Sequence, residues 1–376
     1  MSAAEGMAAS VGTVLWGGFA IGAAFGAVAQ RSNFCTMGAM SDIVNMNHWG
    51  RARMWLLAVA VAIAGAAALQ ATGQVNLAHS IYRRGANLPW LSLLVGGTLF
   101  GVGMTLAGGC ANRNLLRLGG GSVRSLVVLV FMAVTSYMTL KGLFGSWRVA
   151  WLDPVGINLG ERGFSDQGLA TLLAGATGLD ARVALWTASA LVVAAILVFV
   201  FKDARFRANR QQVLGGAALG ALIVAAWYVS GHLGYGENPE TLETGYFATN
   251  TRTIESLSFV APLAYGLELL MLWTDASLHM TFGIASVLGV VAGSAAYAIG
   301  SGSFRWEGFA SVADLRGQLT GAALMGFGGV TGLGCTIGQG MAGLSTLALG
   351  SFIAVAGIVA GSVGTLKFIL WKAERE

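Results

Sequence analysis

Three cysteines are the residues of this chain best suited to chemistry, and all three stand in similar surroundings. Cys110 sits in "AGGCANRNLLRLGGG", Cys335 in "VTGLGCTIGQGMAGLS" and Cys35 in "QRSNFCTMGAMSD". Two of them follow glycine directly, at the end of a long apolar run. An odd count, with no CxxC and no nearby histidine, argues against a disulfide framework and against a zinc site. What remains is a thiol used as a small buried apolar group, as a nucleophile, or as a weak hydrogen-bond donor with a polarizable sulfur. Burial in apolar surroundings favours the neutral thiol, and neutral thiols in a row offer a sulfur-bearing anion weak, exchangeable contacts, whereas thiolates repel it.

The neighbours of these cysteines suit an anion. Arg31, Arg113 and Arg117 stand close by in sequence. A charge in a bilayer core costs roughly 2.5 to 3.5 kcal/mol on insertion scales, so such side chains face a cavity or snorkel to the surface. An entrance lined by arginine concentrates anions and opposes cations. Asn112, Asn114, Thr36, Thr336 and Gln339 are further hydrogen-bond donors, and a helix starting after each cysteine presents backbone N–H groups to the same anion. No Walker loop, dinucleotide fingerprint or HExxH is present, and no cofactor or metal site is indicated.

The elements that position these groups are transmembrane helices. Of 376 residues, 55% are hydrophobic and 10% charged, against about a quarter charged in soluble domains. Apolar runs long enough to span a bilayer fall at about 11–29, 52–73, 91–109, 123–145, 182–201, 212–231, 258–274, 284–300, 316–333 and 346–371. The first run ends in Ala27-Val28-Ala29, but the tail before it has Glu5 and no Lys or Arg, so a retained helix is expected rather than a cleaved signal. The net charge of +5 sits in short loops, where it reports topology rather than nucleic-acid binding. The loop with Lys202, Arg205, Arg207 and Arg210 is expected to be cytoplasmic, and the acidic connection 232–257, with Glu237, Glu240, Glu243 and Glu255, to face the other side.

The chain is also duplicated. "GGTLFGVGMTLAGGC" from Gly96 aligns without a gap on "GAALMGFGGVTGLGC" from Gly321, an offset of 225 that places Cys110 on Cys335. A weaker echo sets the Cys35 segment against 265–286, with Asp275, Ser277 and His279 where the thiol would be. Two halves are expected, 1–201 and 212–376, joined by a basic linker at 202–211. Most of the 56 glycines serve close helix packing. The clusters Gly108-Gly109 and Gly334 with its neighbours let the chain break and turn. Irregular backbone inside a bilayer needs protein or water around it. Breaks at 31–38, 108–121, 274–283 and 332–345 therefore read as re-entrant segments meeting near the midplane, the arrangement of transporters with repeated halves. The fold class is an all-α polytopic membrane protein, a pseudo-symmetric repeat of two halves with re-entrant broken helices.

The three cysteine motifs together resemble the YeeE/YedE family of bacterial thiosulfate transporters, over nearly the whole chain. The resemblance implies an inner-membrane, all-helical protein that passes thiosulfate along Cys35, Cys110 and Cys335 by transient S–H···S contacts. It also implies membrane lipid as surroundings and a separate TusA-like sulfur carrier as a partner of some members, others being linked to selenium or other sulfur compounds. A membrane sulfurtransferase carrying a cysteine persulfide is the competing reading. A scaffold with packing cysteines is a third, and it leaves the repeated glycine–cysteine breaks without a reason.

Overall fold

The computed structural model describes residues 3–237, 244–309 and 311–375. Glu240 and Glu243 lie outside the described residues. In chain order the α-helices are α1 Ala3–Arg31, α2 Thr36–Met46, α3 Gly50–Ala71, α4 Trp90–Leu106, α5 Ala111–Gly119, α6 Val123–Lys141, α7 Leu143–Trp147 and α8 Leu169–Thr177. They continue as α9 Ala181–Phe201, α10 Ala204–Ala208, α11 Arg210–Tyr228, α12 Ala261–Met271, α13 Phe282–Gly300, α14 Val312–Thr331 and α15 Leu349–Ala373. Strand structure among the described residues amounts to two short antiparallel pairs, Asn87–Leu88 with Ile157–Asn158 and Tyr235–Glu237 with Thr244–Tyr246.

Among the described residues eight segments are long and apolar enough to cross a membrane, and the chain is a multi-pass membrane protein. Two of the ten expected spans differ. The run at 258–274 yields only the 11-residue α12, which at 1.5 Å per residue reaches about half-way across a hydrocarbon core. The run at 316–333 becomes α14, which is long enough but carries Asp314 and Arg316 in its first turns.

Helix packing comes in corresponding couples. α1 packs along α13 as α11 packs along α3, and α4 packs along α15 as α6 packs along α14. Within each couple the helices run parallel: Gly97 meets Ala354 and Gly101 meets Ile358, while Gly22 meets Ser286 and Gly26 meets Val290. Members that exchange places run antiparallel. On α4 and α14, Gly96 meets Gly332 and Gly103 meets Gly321. On α1 and α11, Gly17 meets Val229 at one end and Gln211 donates to the Arg31 carbonyl at the other. At Gly22, Gly26, Gly289 and Gly293 an added Cβ would collide with the partner's backbone, so these contacts require glycine.

This correspondence corrects the weaker internal echo. α12, not the segment at 274–283, is the counterpart of α2, since each precedes a member of the α3/α13 pair. The residue at the head of α2 is Cys35 and that at the head of α12 is Val260. Asp275, Ser277 and His279 lie in the connection between α12 and α13 and are exposed. The fourth expected break is therefore a surface turn, matching the short turn 47–49 between α2 and α3, and it does not share the burial of the other three.

Helix direction fixes the sides. Arg53 near the start of α3 pairs with Asp203, so the basic loop and the start of α3 share a face. α3 leads away from that face, α4 leads back, and α15 runs parallel to α4, which puts Lys372 and Arg375 on the basic face. On the opposite face the buried pair Arg83–Asp166, at 2.9 Å, anchors the segment whose Gln167 and Leu169 hydrogen-bond Leu349 and Leu347 at the head of α15.

Candidate functional site

Each thiol stands at the head of a short helical segment. Cys35 is the N-cap of α2, and its Sγ accepts the Gly38 amide at 3.2 Å. Cys335 opens the turn that leads into the helical segment Gly338–Gly343, and its Sγ accepts the Gly338 amide at 3.4 Å. Cys110 is the N-cap of α5 and makes no such bond, but the Thr336 hydroxyl stands beside its thiol, and Cys35 and Cys335 are its electrostatic neighbours. All three are buried and free. Thus the three cysteine segments come together in one place, with Thr336, the residue after Cys335, against the Cys110 thiol.

The backbone that makes this possible leaves the ordinary helical region. Gly108 has φ +66° and Leu333 φ +57°, at corresponding positions of the repeat; Gly334 has φ +156° and Asn33, before Cys35, φ +52°. Gly109 is tight against the Arg113 side chain. A left-handed residue ends each long helix and redirects the chain into the short one.

Around the thiols lies buried polar surface without a protein partner. Among the described residues Thr36 Oγ1, Asn112 Nδ2 and Oδ1 and Gln339 Oε1 have no hydrogen-bond partner, and Thr336 Oγ1 has none beyond the Cys110 thiol beside it. All four residues are at most 2% exposed. An unmade buried hydrogen bond costs about 1–3 kcal/mol per group, so such a concentration points to a polar ligand. Trp55 Nε1 belongs to the same set; the sequence reading missed it inside an apolar run. Trp55, Thr36, Thr336, Met40 and Met104 line a cavity of about 10 Å³, room for about one water. A larger anion has to push the methionines aside, and their unbranched side chains suit that.

The remaining expected residues divide. Asn114 is occupied: its Nδ2 donates to the Gly109 and Cys110 carbonyls at 3.1 Å, so it fastens the break. Gln339 is half engaged, donating Nε2 to the Gly332 carbonyl at 2.7 Å. Arg117 Nη1 donates to the Gly108 carbonyl at 3.2 Å, and Arg113, Arg124 and Cys35 are its electrostatic neighbours. Arg124, which the sequence reading did not single out, also pairs with Asp314 at 3.1 Å. Arg31 is exposed and lines a separate surface groove with Arg210 and Gln211, away from the thiols. No cluster of metal-ligating side chains occurs among the described residues.

A second cavity, of about 140 Å³, reaches Gly334, the residue before Cys335, from the face opposite the basic loop. Leu333 and Gly334 form part of its wall, with Tyr82, Arg148, Asn250, Glu255 and Ser258. Glu255, expected in the acidic connection on the side opposite the basic loop, is half-buried here.

The pattern that defines the sulphur transport family matches residues 31–364. Thiosulfate transporter TsuA of Escherichia coli strain K12 is 25% identical over 349 residues, 88% of this chain and 87% of that protein. Thiosulfate transporter TsuA of Spirochaeta thermophila is 24% identical over 369 residues, 96% of this chain and 100% of that protein.

Proposed function

This chain belongs to the sulphur transport family, and we propose that it carries thiosulfate, or a sulfur oxyanion close to it, inward across a bacterial cytoplasmic membrane through Cys335, Cys110 and Cys35 in turn. The observation that carries this reading is the set of buried polar atoms around the three thiols, those on Thr36, Trp55, Asn112 and Gln339 without a hydrogen-bond partner among the described residues and that on Thr336 beside the Cys110 thiol alone. A tetrahedral oxyanion satisfies several of them at once. Two of the sulfurs already accept amide hydrogens, which leaves their S–H bonds to donate. A neutral thiol donates weakly, so each contact holds the anion without trapping it.

Direction and electrostatics follow from the two ends. The 140 Å³ cavity collects the anion on the face away from the basic loop. Past the thiols, Arg113, Arg117 and Arg124 supply positive potential on the other side. A separate TusA-like sulfur carrier on the basic face completes the proposal.

Two labels test it. In proteoliposomes containing this chain alone, thiosulfate labelled on the sulfane sulfur and thiosulfate labelled on the sulfonate sulfur are expected to enter at equal rates. Parted labels, with sulfite released and a persulfide forming on Cys110 at the turnover rate, would replace passage by covalent sulfur transfer. No uptake of either label by folded protein would end the transport reading.

A further inference from the structure

Glu255 sits where a transport path for anions has no evident use for a carboxylate. Its Oε1 accepts from Thr251 Oγ1 at 2.9 Å. Its Oε2 lies 3.7 Å from where a Cβ on Gly283 would stand, against the first turn of α13. The side chain lines the 140 Å³ cavity whose wall includes Gly334, the residue before Cys335. No ion pair reaches it among the described residues. The groups facing it come from every surrounding element: Tyr82 from the connection between α3 and α4, Arg148 from the turn after α7, and Tyr265 from α12. Arg148 is already paired with Asp153 at 3.2 Å, and Tyr265 stands near the Lys141–Glu268 pair. α13 contributes only the backbone of its first turn.

We propose that this cavity is an outer binding site that takes one sulfur oxyanion together with one proton, the proton held on the Glu255 carboxyl. The proposal rests on the transport reading for the identity of the anion. Arg148, Asn250, Ser258 and the Tyr82 hydroxyl are the donors available to the oxyanion. An ionised Glu255 in the same small space repels a dianion, and the low dielectric of the cavity strengthens the repulsion. Taking a proton from outer water removes that charge and adds an O–H donor, and no bond of the anion breaks. Burial lifts the Glu255 carboxyl to about 7, against the Thr251 hydroxyl and the Thr251 and Asn250 backbone, which pull it down. Burial likewise pushes the Tyr82 phenol up, so it remains a donor. The carboxyl therefore gains its proton as the outer pH falls through about 7, and thiosulfate stays a dianion throughout that range.

The test uses binding as well as uptake, so that it survives a failure of the transport reading. Calorimetric titration of the detergent-solubilised protein with thiosulfate, in two buffers of different ionisation enthalpy, counts protons taken up per anion. About 0.9 is expected at pH 8 for a group of this pKa, and close to zero for Glu255→Gln. In proteoliposomes, initial uptake by the unaltered protein is expected to fall about tenfold between outer pH 6 and 8, and to stay level in Glu255→Gln. Thr251→Val removes a donor to the ionised carboxylate, so its midpoint is expected at higher pH; it also serves if Glu255→Gln does not fold. Zero protons per anion in the unaltered protein overturns the proposal, as does a Glu255→Gln profile that follows the original or an unmoved Thr251→Val midpoint. If uptake is absent at every pH while binding still takes up a proton, the transport reading fails and the proton site stands.

Discussion

Leu333 adopts, at φ +57°, the left-handed conformation that Gly108 adopts at φ +66° in the matching position of the other half. For glycine the conformation is free; for leucine it costs roughly 1–2 kcal/mol. Packing of Leu333 beside Leu88 and Leu93 holds it there. A β-branched residue fits positive φ worse. Leu333→Ile, which conserves volume, is thus expected to lower stability by about 1–2 kcal/mol, and Leu333→Gly to offset lost packing with released strain. Thermal melts of the two variants in one detergent check this, and an Ile variant as stable as the original would show that the backbone there is unstrained.

Cys110→Ala and Cys335→Ala are each expected to reduce thiosulfate uptake at least about tenfold, the worth of one hydrogen bond to a charged group. Alanine leaves little extra cavity, so the fold should survive. Uptake into proteoliposomes, with elution volume on a sizing column as the folding control, measures both. Uptake near the original level in both variants would remove the thiols from the path.

The two asparagines of α5 are expected to part company. Asn114→Ala loses the bonds to the Gly109 and Cys110 carbonyls and should cost about 1–2 kcal/mol of stability. Asn112→Ala removes two buried atoms that have no partner, so stability should hold or rise while uptake falls. Equal destabilisation by both would make Asn112 a structural group.

Sidedness has a direct reading. Tyr235 is 51% exposed beyond the end of α11, and Arg205 is exposed in the basic loop. With an impermeant thiol reagent added to intact cells, a cysteine at 235 is expected to react and one at 205 or 372 is not. Reaction at 205 and not at 235 would invert the whole assignment, including the direction of transport.

Much of the architecture was legible because membrane helices declare themselves by length and composition, and because a glycine followed by a cysteine after an apolar run is conspicuous. The Cys110 and Cys335 copies align without a gap, so their correspondence could be read directly. The Cys35 correspondence could not. Between α11 and α12 the second half inserts a long connection, and Val260 took over the capping position, so no thiol marked it. Trp55 looked like any aromatic of a span, since sequence does not say which face of a helix meets a cavity. Glu255 looked like its acidic neighbours; only the fold turns it inward. Asn112 and Asn114 are two apart on one helix, and their different hydrogen bonding depends on which of them reaches the broken end of α4.

The substitution at the head of α12 gives the molecule a polarity that its duplicated plan lacks. Two copies inserted upside down with respect to each other should produce a passage whose two mouths are interchangeable. Here α2 has a thiol at its head, Cys35, and the corresponding position of α12 is Val260, fully buried and packed over Gly329. On the proposed path an ion would meet the thiols as a ladder with its extra rung at one end only. Filling in the missing rung or sawing off the extra one, as in Val260→Cys or Cys35→Val, would bring the two mouths closer to equivalence, and the half-saturating thiosulfate concentrations for influx and for efflux, each measured with an empty opposite side, should converge.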